Sequence, residues 1–215
     1  MADPADPAPE PFDPAPEPFD PARYPDKLNL GCGWDLREGY LNVDLHDFHK
    51  PDLVADVTKL DMLLSGTYTE IIAQDVLEHL PRQSTVEVLR EWSRLLRVGG
   101  KLHLRVPSVI DLAELMKLPE NQTISQQELF VQCLFGTQAY TEDCHYTTFT
   151  EPLLRHYLRE AGMEAENWGM RDGWLFEVDA RKLSPPDAEA RAGGLTGQLS
   201  RARTVLSSAR SRLKR

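Results

Sequence analysis

The chain has 215 residues, of which 24 are Lys or Arg and 34 are Asp or Glu, giving a formal net charge of −10. Apolar residues make up 41% and charged residues 27%, a composition typical of one globular domain with tails. The acidity disfavours bulk electrostatic binding to nucleic acid, and no stretch approaches the roughly 20 apolar residues of a membrane-spanning helix.

The two ends of the chain differ from the middle. Residues 1–23 are predicted to be a disordered arm, because they are rich in proline and acid and repeat the sequence DPAPEPF. Residues 184–215 are predicted to be a basic tail, with seven bases and no acid from residue 191 onward. The folded domain is therefore expected to span residues 24–183.

Within this domain, short apolar strands alternate with amphipathic helices. Strands are predicted at 27–30, 40–45, 53–57, 70–73, 101–106, 163–169 and 174–182, and helices at 83–97 and 150–161. The pair Gly99-Gly100 is expected to end the first helix. This order predicts an α/β sandwich with a mostly parallel sheet.

The residues that follow the first three strands indicate a nucleoside site. Ligands of open α/β sheets bind outside the carboxyl ends of the strands. Gly31 and Gly33 follow the first strand, Asp44 ends the second and Asp56 ends the third. An acid at the tip of the second strand can accept hydrogen bonds from ribose hydroxyls, and Asp56 is placed to accept one from an adenine amine.

A dinucleotide is the alternative ligand of such a site. The third glycine of G-x-G-x-x-G is absent after Gly31 and Gly33, and the connection to the second strand is too short for a full helix. Without that helix N-terminus a pyrophosphate has no binding site, so a cofactor without phosphates fits better.

Five sequence blocks, in order and at this spacing, resemble those of the class I S-adenosylmethionine-dependent methyltransferases. They are LNLGCG (28–33), LNVDL (41–45), ADVT (55–58), AQDVLEHL (73–80) and LLRVGGKLHLRVP (95–107). The resemblance implies a Rossmann-like class I methyltransferase sandwich, with a mostly parallel seven-stranded sheet and helices on both faces. It also implies S-adenosyl-L-methionine as cofactor, bound by Asn29, Gly31, Cys32, Gly33, Asp44, Asp56, Val57, Asp75 and Val76.

The first block departs from the family pattern at two positions. Asn29 stands where the family usually has an acid near the methionine amine, and Asp35 stands where a third glycine is common. We expect Asp35 to replace part of the missing charge.

The block at 75–79 indicates a second site beside the cofactor. On a helical turn, Asp75, Glu78 and His79 would share one face, and such a set suits a hard or borderline divalent ion. The block resembles that of metal-dependent 2′-O-methyltransferases of small-RNA 3′ ends, and that of ubiquinone-pathway O-methyltransferases. The resemblance implies a metal site, for Mg²⁺ first, made by Asp75, Glu78, His79 and the later His145.

The metal-free alternative keeps the same residues in another role. In it, His145 or His79 is the catalytic general base. His46 and His49 are interpreted as surface or acceptor-lining residues. Trp34 is interpreted as a core residue more readily than as the floor of a sugar site.

Residues 109–149 are predicted to be an insertion that forms a lid on the acceptor side, with a contact in a homodimer as the alternative. Its polar segments favour an acceptor rich in hydroxyls. A narrower resemblance is to short sugar O-methyltransferases of polysaccharide biosynthesis, including the mycobacterial methylmannose polysaccharide 1-O-methyltransferase, and implies a mannoside acceptor.

The sequence therefore leads to three functional hypotheses. The first is methyl transfer to a hydroxyl of a sugar or oligosaccharide, assisted by a divalent metal. The second is methyl transfer to another acceptor, namely an RNA 3′-end ribose, a quinone or a small metabolite. The third is a non-catalytic cofactor-binding or interaction protein. Three cysteines without knuckle spacing and the lack of an export signal predict free thiols and a cytoplasmic location.

Overall fold

The computed structural model describes residues 20–184. The predicted basic tail (184–215), apart from its first residue, and most of the predicted arm (1–23) lie outside these described residues. Within the arm, Pro21–Arg23 form a 3-10 helix that the side chain of Asp20 caps. No helix in residues 20–184 is long and apolar enough to cross a membrane.

Seven strands form one sheet in the spatial order β3-β2-β1-β4-β5-β7-β6. The strands are β1 (Lys27–Leu30), β2 (Leu41–Asp44), β3 (Leu53–Val54), β4 (Tyr68–Gln74), β5 (Leu96–Pro107), β6 (Met163–Arg171) and β7 (Leu175–Lys182). The first five strands pair in parallel, whereas β7 runs antiparallel to both β5 and β6. The prediction of a mostly parallel seven-stranded sheet is confirmed.

Four α-helices accompany the sheet: α1 (Thr85–Leu95), α2 (Val109–Lys117), α3 (Ile124–Phe135) and α4 (Glu151–Glu160). The helix α1 places Val88, Leu89, Trp92 and Leu95 in the core, at the spacing of one apolar helical face. It packs against α4, and the two helices cover the same face of the sheet.

Helix α1 packs on β5 and α4 packs on β6. The connection from β1 to β2 is residues 31–40 and contains no helix, and the connection from β2 to β3 contains only a 3-10 turn, Asp47–His49. The opposite face instead exposes polar side chains around a cavity of about 340 Å³, lined in part by Tyr40, Glu70 and His103. Such short connections cannot cross the sheet face with a full helix.

The pair Gly99-Gly100 lies inside a strand and does not end a helix, contrary to the prediction. Helix α1 ends at Leu95, and Leu96 is already extended, with φ −63° and ψ 141°. Strand β5 begins at Leu96 and runs through both glycines. A Cβ on Gly100 would lie 3.1 Å from the carbonyl oxygen of Tyr68, so the glycine permits close approach of the β4 backbone.

The insertion 109–149 contains helices α2 and α3 and an irregular segment that returns to the sheet. Ser108 caps α2 by accepting a hydrogen bond from the Asp111 backbone, and Thr123 caps α3 in the same way. An isolated parallel bridge joins Ser108 to Phe149, so both ends of the insertion meet at the carboxyl end of β5. The insertion therefore lies next to the predicted ligand-binding edge.

Candidate cofactor and acceptor site

The carboxyl ends of β1 and β4 meet at the point where the sheet order changes direction. Gly31 follows β1 with φ 62°, and a Cβ built on it would lie 2.4 Å from Cγ2 of Val76, which follows β4. No side chain fits there, so the two loops pack directly on each other. This is the position at which open α/β sheets bind ligands.

Asp44, at the tip of β2, is a buried carboxylate that hydrogen bonds hold in place. The backbone N–H of Gly33 donates to Oδ2 at 2.8 Å, and that of His46 donates to Oδ1 at 3.0 Å. Nδ1 of His49 lies 2.9 Å from Oδ1. Burial opposes ionisation, but these hydrogen bonds hold the pKa of Asp44 below its usual value, so the group is an ionised, oriented acceptor.

Gly33 combines this hydrogen bond with free space on its other side. It has φ 49°, and a Cβ on it would meet no atom within 4 Å. Its backbone is therefore open towards a ligand that reaches Asp44.

Three aromatic rings surround the side of Asp44 that faces His49. The ring centroid of Phe48 lies 4.1 Å from that of His49, and the Trp34 ring lies 4.9 Å from it, edge to face. Trp34 is 76% exposed, so its interpretation as a core residue is wrong. It presents an open aromatic face at the edge of the site.

Asn29 is a buried residue of β1, and its side chain contacts the loop that follows this strand. Its Nδ2 donates to the carbonyl of Asp35 at 2.7 Å and to Oδ1 of Asn42 at 3.0 Å. The Asp35 carboxylate accepts from Nε of Arg37 at 2.9 Å. Both polar departures from the family pattern are thus engaged in local contacts that shape the loop after β1.

Cys32, Asp56 and Val57 lie along the same edge. Burial raises the pKa of the Cys32 thiol to about 12, which leaves it protonated and a poor nucleophile. Asp56 follows β3 by two residues, is exposed, and accepts from the Thr58 backbone at 2.8 Å. The carbonyl of Val57 accepts from Nε1 of Trp92 at 2.9 Å, which ties this loop to α1.

Three of the four predicted metal ligands lie close together. One ligand atom each of Glu78, His79 and His145 lie within 4.8 Å of one another, and the rings of the two histidines are 4.6 Å apart. Asp75 is not in this group. Residues Leu77–His79 form a 3-10 turn and Asp75 has φ 54°, so the α-helical geometry that would place Asp75 on one face with Glu78 and His79 is not present.

Asp75 pairs instead with Arg105 on β5. The Arg105 Nε donates to Oδ1 of Asp75 at 2.8 Å, and the guanidinium makes further contacts with the same carboxylate. Arg105 projects from a strand with alternating polar residues, and nothing in its sequence context marks it as a partner of Asp75.

Glu78 is a buried carboxylic acid with an unsatisfied oxygen. It is 2% exposed, and Oε2 has no hydrogen-bond partner among the described residues. Burial raises its pKa to about 8. A buried carboxyl group without a partner is costly, and two imidazoles at this distance make a cation or a proton the natural partner.

The imidazole ring of His145 is neutral and is held in one orientation. Burial and the neighbouring His79 lower its pKa, and its Nδ1 lies 3.1 Å from the carbonyl oxygen of Cys133. Its Nδ1 therefore carries the hydrogen, and Nε2 is available to bind a cation or accept a proton.

The end of the insertion closes against this group. The backbone N–H of Tyr146 donates to the carbonyl of Glu78 at 2.8 Å, and Nδ1 of His79 lies 3.0 Å from the carbonyl of Glu142. The Glu142 carboxylate lies 3.8 Å from Nε2 of His46. The segment thus spans from the Asp44 loop to the Glu78 turn, and backbone carbonyl contacts of this kind carry no sequence signal.

Comparison with known proteins agrees with this geometry. Residues 26–104 match a family model described as a methyltransferase domain. Comparison with curated proteins gives no match.

Three solved structures are similar in fold. An S-adenosylmethionine-dependent methyltransferase from Methanosarcina mazei is 17% identical, with a TM-score of 0.53 over 73% of this chain and 92% of that chain. One from Clostridium acetobutylicum is 11% identical, with a TM-score of 0.53 over 74% and 84%. A possible exported protein from Bordetella parapertussis is 17% identical, with a TM-score of 0.52 over 75% of this chain.

This chain spans 63% of the length of the Bordetella protein, and at these identities the likeness concerns the fold. The matched segment, 26–104, contains β1 to β4, α1 and most of β5, and therefore the loops that hold Gly33, Asp44 and Glu78. Residues 26–104 thus match a model of a methyltransferase domain, and the described residues have the Rossmann-like fold of class I methyltransferases.

Proposed function

We propose that this chain transfers the methyl group of S-adenosylmethionine to a hydroxyl of a sugar or oligosaccharide, with a divalent cation bound by Glu78, His79 and His145. The observation that carries the proposal is the unpartnered buried Oε2 of Glu78 beside two imidazoles, at the same sheet edge as the oriented Asp44. Mannosides are the first acceptors to test.

The cofactor half of the proposal depends on Asp44. Its ionised carboxylate would accept hydrogen bonds from the ribose hydroxyls, while the open backbone at Gly33 admits the methionine portion. Trp34 supplies an aromatic face at the rim.

The part of the proposal that concerns the acceptor depends on the three potential metal ligands, Glu78, His79 and His145. One carboxylate and two imidazoles would suit a divalent ion that accepts both oxygen and nitrogen ligands, such as Mn²⁺, more readily than the hard Mg²⁺, and only part of the coordination shell would come from the protein. A bound ion would lower the pKa of a coordinated hydroxyl. Asp75 is not proposed as a direct ligand, because Arg105 holds its carboxylate.

The chemical step needs alignment and removal of one proton. The hydroxyl oxygen attacks the methyl carbon, the carbon–sulfur bond breaks, and S-adenosylhomocysteine leaves. If Nε2 of His145 binds the ion, that nitrogen cannot accept a proton, and the hydroxyl proton would leave to water. In the metal-free alternative, Nε2 of the neutral His145 would accept this proton, since its Nδ1 is engaged. Holding both reactants at this edge supplies the orientation that methyl transfer requires.

The cofactor claim is tested by calorimetry with S-adenosylhomocysteine. The wild-type protein is expected to bind it, and Asp44→Ala is expected to weaken binding at least tenfold. The matched control is Asp47→Ala, which removes an exposed carboxylate three residues further along. Absence of binding to the wild type would contradict the cofactor assignment.

The acceptor claim is tested by transfer of labelled methyl from S-adenosylmethionine to a panel of mannosides, a quinol and a short RNA. Turnover on a sugar that a chelator abolishes and Mn²⁺ or Mg²⁺ restores is the expected result. Full activity in chelator would remove the metal from the proposal. Turnover on the RNA or the quinol alone would replace the acceptor class, and cofactor binding without any turnover would favour an interaction protein.

A further inference from the structure

We propose that residues 136–145 form a rigid loop that couples the cofactor site to the candidate metal ligands, with Glu142 as the positioning residue between them. The inference rests on the proposed function, because it takes the cofactor to bind beside Asp44 and a cation to bind at the three candidate ligands. The loop follows α3 and lies within the insertion.

The two ends of this loop lie against each other. The backbone N–H of His145 donates to the carbonyl of Phe135 at 3.1 Å. Gly136 has φ 79°, and a Cβ on it would lie 2.0 Å from the carbonyl oxygen of Asp143. A side chain does not fit at this distance, so the two ends are in direct backbone contact.

Further hydrogen bonds connect residues inside the loop. The carbonyl of Asp143 accepts from the backbone N–H of Gln138 at 3.2 Å, and the Asp143 N–H donates to the carbonyl of Tyr140 at 3.1 Å. The hydroxyl of Thr137 donates to the Asp143 carboxylate. Short loops whose ends meet and whose own groups pack together form compact units. A displacement of one side of the loop would therefore be transmitted to the other.

The loop supports all three candidate metal ligands. The carbonyl of Glu142 lies 3.0 Å from Nδ1 of His79, and His145 is itself the last residue of the loop. The next residue, Tyr146, donates its backbone N–H to the carbonyl of Glu78 at 2.8 Å. A carbonyl accepts only, so its contact places the hydrogen of His79 on Nδ1 and leaves Nε2 to bind a cation.

The same loop reaches the cofactor site. The Glu142 carboxylate lies 3.8 Å from Nε2 of His46, and the backbone N–H of His46 donates to Oδ1 of Asp44 at 3.0 Å. Burial raises the pKa of the Tyr140 phenol, and nearby carboxylates, that of Asp44 among them, add to the effect. The Tyr140 phenol therefore lies within electrostatic range of the carboxylate that would bind ribose.

Glu142 contacts the two sites through different atoms. Its carboxylate faces His46, and its main-chain carbonyl faces His79. A cofactor that orders the residues after β2 would restrain the Glu142 side chain, and through it the ring of His79. By linkage, a cation that fixes the His79 ring would raise the affinity for the cofactor by the same factor.

The expected coupling is small. The side chains of His46 and Glu142 are 31% and 47% exposed, and a contact between side chains this exposed contributes little free energy. We therefore expect a factor of about three to five, at the low end of the range for coupled sites.

The test is calorimetric titration of the full chain with Mn²⁺, without and with saturating S-adenosylhomocysteine. In the wild type, S-adenosylhomocysteine is expected to raise the affinity for Mn²⁺ about three- to fivefold, and Mn²⁺ is expected to raise that for S-adenosylhomocysteine equally. Glu142→Ala is expected to abolish the coupling, because it removes the carboxylate and keeps the carbonyl beside His79. The matched control Glu128→Ala, which removes an exposed carboxylate on α3, is expected to keep it.

Further measurements separate a lost coupling from a lost structure. Glu142→Ala is expected to keep the wild-type circular dichroism spectrum and the affinity for S-adenosylhomocysteine without metal. His46→Ala should also abolish the coupling, and the double variant should show no further change, because both substitutions break the same contact. The nitrogen-15 signals of the His79 ring give a readout without metal: S-adenosylhomocysteine is expected to shift them in the wild type and not in Glu142→Ala.

The coupling and the proposed function can fail separately. Equal Mn²⁺ affinities with and without S-adenosylhomocysteine in the wild type would overturn the coupling, as would an undiminished factor in Glu142→Ala. If Mn²⁺ does not bind, the His79 signals decide, and unchanged signals in a wild type that binds S-adenosylhomocysteine would overturn the coupling. If S-adenosylhomocysteine does not bind, both proposals fall. If both ligands bind but no acceptor is methylated, the proposed function fails and the affinities still decide the coupling.

Discussion

The two acidic side chains of the site are held in opposite protonation states. Hydrogen bonds from two backbone N–H groups and from His49 keep Asp44 ionised despite its burial, whereas Glu78 receives no such donor at Oε2. The pKa of Glu78 is raised to about 8, chiefly by burial, and the nearby negative charge of Asp75 adds to the effect. One carboxylate is therefore ready to accept hydrogen bonds, and the other is poised to exchange a proton for a cation.

The first prediction concerns the stability of the metal-free protein. Because the pKa of Glu78 in the folded chain lies above the ordinary value of 4.5, the folded state binds more protons than the unfolded state between these values. The contribution of Glu78 to stability is thus full below about pH 4.5 and is lost as the pH rises through about 8.

Glu78→Gln removes this dependence. In thermal unfolding with chelator, we expect the Tm of the wild type to fall relative to that of Glu78→Gln as the pH rises from about 5 to about 9. Added Mn²⁺ should raise the wild-type Tm and leave Glu78→Gln almost unchanged, since the ion binds the folded state. Glu87→Gln, at an exposed position on α1, should follow the wild type; parallel curves for all three proteins would contradict the argument.

The second prediction concerns His49 as a positioning residue. Removal of its contact with Oδ1 of Asp44 in His49→Ala should lower the affinity for S-adenosylhomocysteine about tenfold, the effect of losing about 1.4 kcal/mol from a charge-assisted hydrogen bond. His49→Gln retains a donor and should recover part of the affinity. His46→Ala is the control, because its hydrogen bond to Asp44 comes from the backbone. Equal affinities for all four proteins, measured by calorimetry, would exclude the role.

At the level of elements, the loop after β1 performs two separate tasks with two glycines. Gly31 allows contact between loops, and Gly33 leaves space for a ligand, although both have positive φ. The sequence pattern G-x-G does not distinguish them, and their environments in the fold do.

The third prediction follows from this difference. Gly31→Ala should be the more destabilising substitution, because it adds a contact of 2.4 Å with Val76 to the cost of its positive φ, on the order of 1 to 2 kcal/mol. Gly33→Ala should lower stability only by the cost of placing alanine at a positive φ. It should weaken binding of S-adenosylhomocysteine, since the added methyl group points into the open space. Urea unfolding and calorimetry on the same pair test both statements. Equal losses of stability would show that the Val76 contact relaxes without cost.

Elements formed by local interactions could be predicted from the sequence, and features that depend on contacts between distant residues could not. Buried parallel strands such as β1 and β4 were predicted because a continuous apolar run is a local signal. The end of α1 was predicted wrongly. The pair Gly99-Gly100 suits the end of a helix, but it also suits a strand that passes close to β4, and the two cases differ only in tertiary pairing. The proximity of Glu78 and His79 was predicted from their residue types and spacing, and the addition of His145 was implied by the family resemblance. The contact of Asp75 with Arg105 depends on a positive backbone φ, which hydrophobic periodicity does not indicate.

At the scale of the whole molecule, the distribution of charge separates acceptor classes. Residues 23–190 carry a net charge of −11, which follows from the total of −10 once the six acids before them and the seven bases after them are set aside. The exposed apolar side chains of the insertion, including Tyr140 and Tyr146, add no positive charge near the site. An RNA backbone entering this edge would meet an excess of acids, and the bases there, Arg37 and Arg105, are already paired with Asp35 and Asp75.

The fourth prediction is therefore that a short single-stranded RNA with a free 3′ ribose does not bind at physiological salt and is not methylated. Weak binding that appears only at low salt is expected to come from the seven bases after residue 190, and a chain in which Arg210 and Arg212 are changed to Ser should lose part of it without a change in affinity for S-adenosylhomocysteine. A gel shift across a salt series measures this, since the slope of affinity against salt reports the phosphates contacted. If instead RNA binds at physiological salt and competes with mannosides for methyl transfer, the contacts must come from the described domain, and the sugar hydroxyl that the site recognises would be that of a nucleotide.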